Sequence, residues 1–330
     1  MPFRNAAATL RPAIESIRSQ TFKNWELLLF DDGSDDESPA IADACATGDA
    51  RIRVIRSTYV GIVSALQKAC ATARAPLIAR MDADDVAHPS RFEKQAARMQ
   101  ADGSIALCGC HIQWIGPTPG AGQRRYASWI NALENHDDIV RELFVECPIA
   151  HPTFMMRRDQ LEHVGGYIDR GWPEDYDLVM RLWMAGCRFG KVPEVLLDWR
   201  IADTRLSMTD PRYALSRFRA LKRHYLRRAY WGRNVGAEWG KRFFQWGAGE
   251  VGKLWLREWE SERPEAVVDI NPRKIGRRIH GVPVISPDLL PAPREVFVAV
   301  TVGAPGARDE IRGWLNPRGY AETVDYLFLA

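Results

Sequence analysis

Residues 26–36 read ELLLFDDGSDD and residues 76–85 read PLIARMDADD. Each stretch is a short apolar run that ends in aspartates, which is typical of a buried strand followed by a polar turn. Three helical periods and one further strand surround these stretches: Ala7–Ser19, Pro39–Ala46, Ile62–Ala73 and the strand Ile52–Ile55. This alternation predicts the α/β class, with a mostly parallel central sheet flanked by helices.

The two aspartate clusters are expected to meet at one edge of the sheet. In open α/β sheets the ligand lies beyond the carboxyl ends of the strands, so Asp31 and Asp32 should face the same crevice as Asp82 and Asp84. Clustered carboxylates suit Mg²⁺ or Mn²⁺, whose other positions are filled by substrate phosphates and water. One Asp-Gly pair alone would be an ordinary turn, whereas four acids in two clusters favour a metal and nucleotide site.

A third acidic stretch, Trp172 to Asp177, precedes a helix predicted over Leu178–Ala185. Carboxylates at a helix start cap free N–H groups and favour the positive end of the helix dipole. A carboxylate that also opens onto the crevice can accept a proton from an attacking hydroxyl. The capping role and the catalytic role are compatible.

Length and charge limit the class of protein. A chain of 330 residues with 46% hydrophobic residues can build two domains, each with its own core. The net charge of +3 is too balanced for a protein whose whole surface binds nucleic acid, so we expect no nucleic-acid partner.

Hydropathy and cysteine spacing indicate the compartment. No apolar run approaches the roughly 18 residues that span a bilayer, and no signal-peptide pattern opens the chain. We therefore expect a cytoplasmic protein. The six cysteines form no paired CxxC clusters, which indicates reduced thiols and argues against a disulfide scaffold or a zinc ribbon.

Residues 205–242 are strongly basic, with eleven Lys and Arg against two acids. Apolar residues recur at helical spacing from Tyr213 to Tyr230, which predicts a basic amphipathic helix. Two interpretations are open: a helix that joins two domains and exposes its basic face to water, or a surface that attracts anionic lipid headgroups or a phosphorylated acceptor.

The beginning of the chain is unusual. Residues 1–5 resemble the turn that follows a first strand, yet no strand precedes them. We expect the first strand to be missing and its neighbours to be partly unpaired, as after a late start or a trimmed N-terminus. Further along, residues 116–123 (GPTPGAGQ) predict a mobile surface loop near the crevice.

A second domain is predicted from residue 242. A glycine turn, GAGEVG from Gly247 to Gly252, lies between a strand and a helix, and Asp269 ends the next strand. This is the context of a dinucleotide fingerprint, in which Gly247, Gly249 and Gly252 let a phosphate approach the helix N-terminus. The predicted division is 1–204, a linker over 205–241, and 242–330.

Five motifs in order carry a family resemblance: FRNAAATLRPAIESIRSQTFKNWELLLFDDGSDD, GIVSALQKA, APLIARMDADDVAHPSRFEKQ, IAHPTFMMRRDQLEHVGGY and PEDYDLVMRL. Together they resemble a family-2 glycosyltransferase of the GT-A fold, from Met1 to about Arg228. The resemblance implies an inverting, hexosyltransferase-like enzyme of cell-envelope or polysaccharide biosynthesis. Its donor would be a nucleotide-diphosphate sugar, most often a UDP-sugar, and its acceptor a hydroxyl of a glycan or lipid-linked glycan. The enzyme would also make a peripheral contact with anionic lipids at the inner face of the cytoplasmic membrane.

The same resemblance assigns roles to individual residues. Asp31 and Asp32 match the acids that contact the nucleotide, and Arg80 lies in a donor-binding segment. Asp84 matches the metal ligand, and Asp82 a ribose contact or second metal contact. The remaining roles fall on the Glu-Asp pair: Asp175 as general base and Glu174 positioning the acceptor.

The sequence departs from the family pattern after Arg200. Residues 201–207 (IADTRLS) lack the histidine that many relatives carry, which makes Arg200 or Arg205 candidates for binding the diphosphate. Both could also be ordinary ion-pair partners at the surface. His151 and Trp172 are further candidates for the acceptor or the diphosphate, and Trp172 could instead be a packing residue.

The second domain leaves other functions open. It resembles the small Rossmann-like nucleotide-sugar-binding domain of bacterial sugar acyltransferases. It could bind a nucleotide-sugar, bind NAD, or be a scaffold that binds nothing; too little chain remains for a dehydrogenase, so NAD is disfavoured. The alternatives for the whole protein are an NAD-dependent oxidoreductase or epimerase using Gly247–Gly252, and a catalytically silent sugar-binding protein. A nucleotidyltransferase would need a glycine-rich basic loop at the first turn, which residues 3–6 do not supply.

Overall fold

The computed structural model describes residues 1–202, 205–231, 241–259 and 262–330. The chain divides into two compact units. The first unit comprises Met1–Ile139 and Cys147–Tyr213, and the second comprises Val140–Glu146 and Ala214–Ala330. The predicted linker 205–241 is therefore shared between both units. Its residues 232–240, together with residues 203 and 204 of the motif after Arg200, lie outside the described residues.

The first unit alternates strands and helices along most of its length. Its elements in chain order are β1 (Pro2–Phe3), α1 (Leu10–Arg18), β2 (Leu27–Asp32), α2 (Ser38–Thr47), β3 (Ile52–Ser57), α3 (Ile62–Thr72), β4 (Leu77–Ala79), β5 (Val86–Ala87), α4 (Arg91–Ala101), β6 (Ile105–Ile115), α5 (Ala121–Asn131), α6 (His136–Arg141, which runs into the second unit), β7 (Met155–Arg157), α7 (Arg158–His163), α8 (Glu174–Met184), β8 (Arg188–Arg200) and α9 (Leu206–Thr209). Short 3₁₀ turns lie at His151–Thr153 and Pro211–Tyr213.

Two sheets organise this unit. A parallel sheet has the order β1-β2-β3, and a mixed sheet has the order β4-β7-β6-β8-β5, in which only β6 and β8 are parallel. All six residues of β2 are buried, as the apolar run predicts, and α1 buries Leu10, Ile14 and Ile17 on one face. Each such side chain contributes about 1.5–3 kcal/mol when fully buried. The α/β class is confirmed; the antiparallel pairs are a feature that local pattern did not reveal.

Pro2 and Phe3, which the sequence placed in a turn, form the short strand β1. Pro2 pairs with Phe30 and Phe3 with Asp31 in parallel register, because these residues still carry backbone groups that β2 can bind. The strand has only two residues, and a cavity of about 510 Å³ lies beside it. Apolar side chains of β2, α3, β4 and α4 line this cavity, among them Leu27, Leu66 and Leu77.

The second unit contains a six-stranded sheet of order β11-β12-β10-β9-β13-β14. Its elements are α10 (Leu215–Tyr230), β9 (Arg242–Trp246), α11 (Glu250–Glu258), β10 (Ala266–Val268), β11 (Arg278–Ile279), β12 (Val282–Ile285), β13 (Val296–Val300), α12 (Ala307–Leu315) and β14 (Tyr326–Phe328). All pairs except β11–β12 are parallel. The predicted strand–glycine turn–helix order is confirmed.

Helix α10 is the predicted basic helix, and it buries Leu221, Tyr225 and Leu226. Its basic face is paired inside the second unit: Arg219 lies 3.2 Å from Glu258, and Arg227 lies 2.6 Å from Glu262. Much of the basic surface that could attract a membrane is thus used to pack the unit.

Two further expectations concern the compartment. Across the described ranges, the structure has no helix with the length and apolar character that crossing a bilayer requires. The structure forms no disulfide among the six cysteines, all of which lie in the described ranges, and five of them are buried.

Candidate active site

Three carboxylates follow β4 and lie close together. One ligand oxygen each from Asp82, Asp84 and Asp85 falls within 4.8 Å of the others. Burial and the charge of Asp82 raise the pKa of both Asp84 and Asp85. The Oδ2 atom of Asp85 is buried and has no hydrogen-bond partner in the described part of the chain. Clustered, partly unsatisfied oxygens are the donor set that a hard divalent cation takes, so these residues fit Mg²⁺ or Mn²⁺.

Two arginines hold the backbone on which these acids lie. The buried Arg91 donates to the Arg80 carbonyl at 2.9 Å. Arg200, at the end of β8, donates its backbone N–H to Asp85 Oδ1 and its Nε–H to the Asp84 carbonyl, both at 2.8 Å. Arg200 is therefore a structural partner of the acidic loop, a contact that neither sequence alternative (diphosphate binding or a surface ion pair) described.

Arg80 is buried and forms an ion pair with Asp82. The neighbouring acids raise its pKa against the opposing effect of burial, so its charge is retained. The positive charge of Arg80 thereby offsets part of the negative charge of the carboxylate cluster.

Arg205 lies on an aromatic surface next to the cluster. Trp114 and Trp199 stack with ring centroids 4.9 Å apart, and the Arg205 guanidinium carbon lies 4.5 Å from the Trp199 ring. The positive charge of Arg205 acts to lower the pKa of Asp84. A guanidinium held by cation–π contact near the acidic loop is suited to a phosphate.

Asp31 and Asp32 end β2 instead of following it, and their oxygens bind loop backbone. Asp31 accepts from the Ser34 N–H at 2.9 Å, and Asp32 accepts from the N–H groups of Val60 and Gly61 at 2.7 and 3.0 Å. Asp31 therefore fixes the loop after β2, and Asp32 fixes the loop after β3. Gly33 has φ +74°, and a Cβ there would lie 2.7 Å from Tyr59 N, so the turn requires glycine.

The third acidic group lies in the first turn of α8, one turn earlier than the predicted helix start. Glu174 is buried, whereas Asp175 is half-buried. The Tyr213 hydroxyl lies 2.9 and 2.8 Å from the two carboxyl oxygens of Glu174. Burial and the neighbouring Asp175 raise the pKa of Glu174 to about 7. Two adjacent acids thus have different environments, which is how proteins separate acid and base roles.

His151 and Trp172 lie around this turn. His151 Nε2 is 2.8 Å from the Tyr167 hydroxyl, and its Nδ1 is 3.8 Å from Glu174 Oε1. Burial and Arg80 lower the pKa of His151 well below its usual value, so the ring is neutral. Trp172 donates from Nε1 to Asp177 at 3.0 Å, which fixes the indole beside the acidic turn.

Several residues of this region were not predicted as site residues from the sequence: Tyr59, Tyr167, Arg212 and Tyr213. Tyr213 is 39 positions from Glu174, and no spacing rule links them. Tyr59 is 62% exposed beside the Gly33 turn, with the Arg4 guanidinium 4.1 Å from its ring. The one sequence signal for Tyr59 is its place as an aromatic residue just after the predicted strand Ile52–Ile55.

The glycine turn of the second unit is closely packed. A Cβ at Gly252 would lie 1.9 Å from the Gly247 carbonyl oxygen. Asp269 Oδ2 accepts from the Ala248 N–H at 2.9 Å and lies 3.1 Å from Lys274 Nζ. In a dinucleotide site the acid at this position would bind a ribose. Here Asp269 instead accepts a hydrogen bond from the glycine turn.

Comparison with known proteins identifies the first unit. The family profile described as "Glycosyl transferase family 2" matches residues 1–165, half of the chain. The chain belongs to glycosyl transferase family 2.

Relatives in this family include putative glycosyltransferase EpsE of Bacillus subtilis, 31% identical over 208 residues, with 61% of this chain and 71% of EpsE covered. The O-antigen biosynthesis glycosyltransferase WbnJ of Escherichia coli is 30% identical over 194 residues, covering 57% and 73%. An uncharacterized glycosyltransferase of Haemophilus influenzae is 28% identical over 210 residues, covering 62% of this chain. The match spans 64% of the length of that relative.

The fold also resembles that of a solved structure. The crystal structure of S. aureus TarS 1-349 aligns with a TM-score of 0.54 at 15% identity, over 69% of this chain and 64% of that chain. The same TarS fragment has been solved in complex with UDP-GlcNAc, and this structure aligns with a TM-score of 0.51. This likeness shows the shared fold.

Proposed function

We propose that the protein is an inverting glycosyltransferase that moves a sugar from a nucleotide-diphosphate sugar to an acceptor hydroxyl. The observation that carries the proposal is the cluster of Asp82, Asp84 and Asp85 at the end of β4, with a buried, unpartnered carboxylate oxygen. Family membership supports the reaction class. The whole chain's activity and substrates are part of the proposal, because the match spans less than two thirds of some relatives.

The metal would be held by Asp84 and Asp82, with Asp85 as an additional or bridging partner. Mg²⁺ or Mn²⁺ bound there supplies positive charge to a diphosphate leaving group. Arg205, on its aromatic surface, is the candidate for the remaining phosphate charge. The fixed backbone contacts from Arg200 would keep the acids in place during the reaction.

The donor would be a UDP-sugar, in keeping with the family resemblance and with the UDP-GlcNAc complex of TarS. Asp31, Asp32 and the exposed Tyr59 border the place for the nucleoside, and Arg80 lies behind Asp82. An aromatic face and carboxylates together suit a base and its ribose hydroxyls.

The chemical step would be a single displacement. Asp175 accepts the proton of the acceptor hydroxyl while that oxygen attacks the anomeric carbon from the face opposite the diphosphate. The new glycosidic bond forms as the bond to the diphosphate breaks, and the nucleotide leaves with the electron pair. One displacement inverts the configuration, and no second carboxylate nucleophile is needed.

The acceptor would be a hydroxyl of a cell-envelope or capsular glycan, free or lipid-linked. WbnJ is named for O-antigen biosynthesis, and a 28% identical relative from Erwinia amylovora is named for amylovoran biosynthesis. Residues Arg217 and Arg228 of α10 are exposed and are the candidates for contact with an anionic membrane surface. Trp172 and His151 border the place for the acceptor.

For the second unit we favour a scaffold or regulatory role over nucleotide binding. The engagement of Asp269 with Ala248 and Lys274 supports this choice. NAD binding at Gly247–Gly252, the basis of the oxidoreductase alternative, would require Asp269 to exchange those partners for a ribose.

The proposal is tested by thermal unfolding of the full chain against a panel of nucleotide-sugars, with and without Mn²⁺. Wild type should be stabilised by one donor in a Mn²⁺-dependent manner. Asp84→Ala should lose the shift, whereas Gly249→Trp in the second unit and Asp159→Ala, an exposed acid of the first unit, should keep it. Stabilisation by NAD alone, abolished in Gly249→Trp, would replace the transferase with the oxidoreductase alternative.

A further inference from the structure

The turn Pro211–Tyr213 closes over the buried carboxyl of Glu174. The Tyr213 hydroxyl donates toward both carboxyl oxygens, at 2.9 and 2.8 Å. Arg212 Nη1 lies 4.0 Å from Glu174 Oε2; it is buried and has no hydrogen-bond partner among the described residues. Both residues lie in the basic segment 205–242, for which the sequence suggested no role at the acidic turn of α8.

The turn itself is anchored on acids of its own unit. Arg212 Nε lies 3.3 Å from Asp210, and its Nη2 lies 3.4 Å from Asp169. Arg212 is therefore held at its far side while Nη1 remains directed toward Glu174. The anchoring means that Tyr213 and Arg212 meet Glu174 in a defined geometry.

Charged and titratable groups from several segments of the described chain surround Glu174. Asp175 follows it on α8, the neutral His151 lies 3.8 Å away on the preceding 3₁₀ turn, and Arg212 and Tyr213 face it from the later turn. Tyr167, bound to His151, completes the shell and is also affected by the Glu174 charge. Of these groups, only Tyr213 and Arg212 favour an ionised Glu174.

We propose that Tyr213 is a positioning residue for the reaction: its hydroxyl holds the Glu174 carboxyl in place and favours its ionised form, and this in turn makes Asp175 a stronger base. The inference rests on the proposed function, in which Asp175 takes the acceptor proton. Tyr213 itself touches neither substrate nor reacting atoms.

The effect on Asp175 follows from like-charge repulsion. An ionised Glu174 next to Asp175 disfavours a second negative charge, so Asp175 holds a proton more tightly once it has accepted one. A stronger base near neutral pH removes the acceptor proton more effectively. Burial and the charge of Asp175 oppose ionisation of Glu174, whereas a backbone N–H, the hydroxyl of Tyr213 and the charge of Arg212 favour it. Removal of the Tyr213 hydroxyl should therefore lower the ionised fraction of Glu174 at neutral pH.

The first experiment follows the Glu174 carboxyl without any substrate. Carbon-13 NMR of protein labelled at glutamate Cδ gives the titration of each Glu, and the Glu174→Gln spectrum assigns the signal. We expect Glu174 to titrate near pH 7 in wild type and about one unit higher in Tyr213→Phe. Tyr230→Phe, which removes a hydroxyl bound to the Thr323 carbonyl in the second unit, is the matched control and should leave it unchanged.

The second experiment measures the pH dependence of sugar transfer, or of UDP release from the donor found in the thermal panel. With its Glu174 pKa one unit higher, Tyr213→Phe should be about fivefold slower than wild type at pH 7 and equal to it above about pH 9. In a Glu174→Gln background, Tyr213→Phe should have no effect on the profile.

Two results would overturn the inference: an equal Glu174 titration in wild type and Tyr213→Phe, or a rate loss of the same factor at every pH, which is the mark of a purely structural role. If no donor is turned over by wild type, the proposed function fails. The NMR titration would still decide whether Tyr213 controls Glu174, so the two failures are distinguishable.

Discussion

Glu174 and Asp175 show how burial separates two neighbouring acids. They are consecutive in the first turn of α8, yet Glu174 is 1% exposed and Asp175 is half-buried. A carboxyl removed from water resists ionisation, so the buried member keeps its proton to higher pH. This difference is consistent with the proposed role of Asp175, the more exposed acid, as the base.

This difference predicts a pH-dependent stability. With its pKa raised to about 7, Glu174 binds more protons in the folded than in the unfolded state between about pH 4.5 and 7. Its contribution to the free energy of unfolding is fully present below pH 4.5 and is lost as pH rises through 7, by at most about 1.4 kcal/mol per pH unit. Denaturant unfolding of Glu174→Gln across this range should lack that fall.

The pH dependence of the free energy of unfolding of Glu174→Gln is subtracted from that of wild type. This is necessary because the buried His151 changes the free energy of unfolding in the opposite direction. Its lowered pKa means that the unfolded state binds more protons below about pH 6.5, so stability there rises with pH. Glu162→Gln, at an exposed acid of α7, controls for the loss of one negative charge. Identical slopes for wild type and Glu174→Gln would contradict the raised pKa.

The role assigned to Asp175 predicts a separation of catalysis from binding. Asp175→Asn should lower kcat by about 10²- to 10⁴-fold, because the acceptor proton loses its base. The Mn²⁺-dependent thermal shift with the donor should remain, and Asp159→Asn should behave as wild type. A variant with near-normal kcat would move the base to another residue.

At the scale of elements, ion pairing and close packing decide what the second unit can do. The basic face of α10 is turned in part toward Glu258 and Glu262, so high positive charge in sequence does not translate into an equally charged surface. Exposed or half-exposed pairs of this kind contribute about 0–1 kcal/mol each. The glycine turn before α11 contributes more, because it has no room for a side chain.

Two glycines of this turn predict opposite outcomes. Gly252→Ala would place a Cβ 1.9 Å from the Gly247 carbonyl oxygen, and we expect a loss of about 3 kcal/mol or more. Gly249 has a negative φ and nothing within 4 Å of a Cβ, so Gly249→Ala should cost no more than about 1 kcal/mol. Thermal and denaturant unfolding of both variants checks the contrast; equal losses would show that the turn relaxes.

At the scale of the whole molecule, each compact unit has its own hydrophobic core. The core of the first unit includes Leu29, and that of the second includes Leu315; both side chains are fully buried. Because each core closes on residues of its own unit, we treat the units as separate cooperative bodies.

This division predicts which transition each core variant affects. Leu29→Ala and Leu315→Ala delete the same atoms, and each should cost about 2–5 kcal/mol in its own unit. Leu29→Ala should lower the midpoint temperature of one transition. The donor and Mn²⁺ should raise the midpoint temperature of that same transition. Calorimetry with and without ligand measures this; a single transition shifted equally by both variants would show that the units unfold together.

Local patterns in the sequence were enough to predict the α/β class, most element positions and the acidic clusters. These are local properties: apolar period, turn residues and adjacent aspartates are written in windows of a few residues, and burial of β2 or α1 follows from such patterns. The glycine turn and the basic helix were found in the same way.

Which distant residues meet and which acids keep their protons depends on the folded chain. Tyr213 reaches Glu174 across 39 positions, Arg200 reaches Asp85 across 115, and the antiparallel pairs of the second sheet join strands far apart in sequence. Protonation likewise depends on the loss of water around Glu174 and Asp85, which no spacing expresses. Contact and desolvation are properties of the folded chain, because they arise only when segments without local relation are packed together.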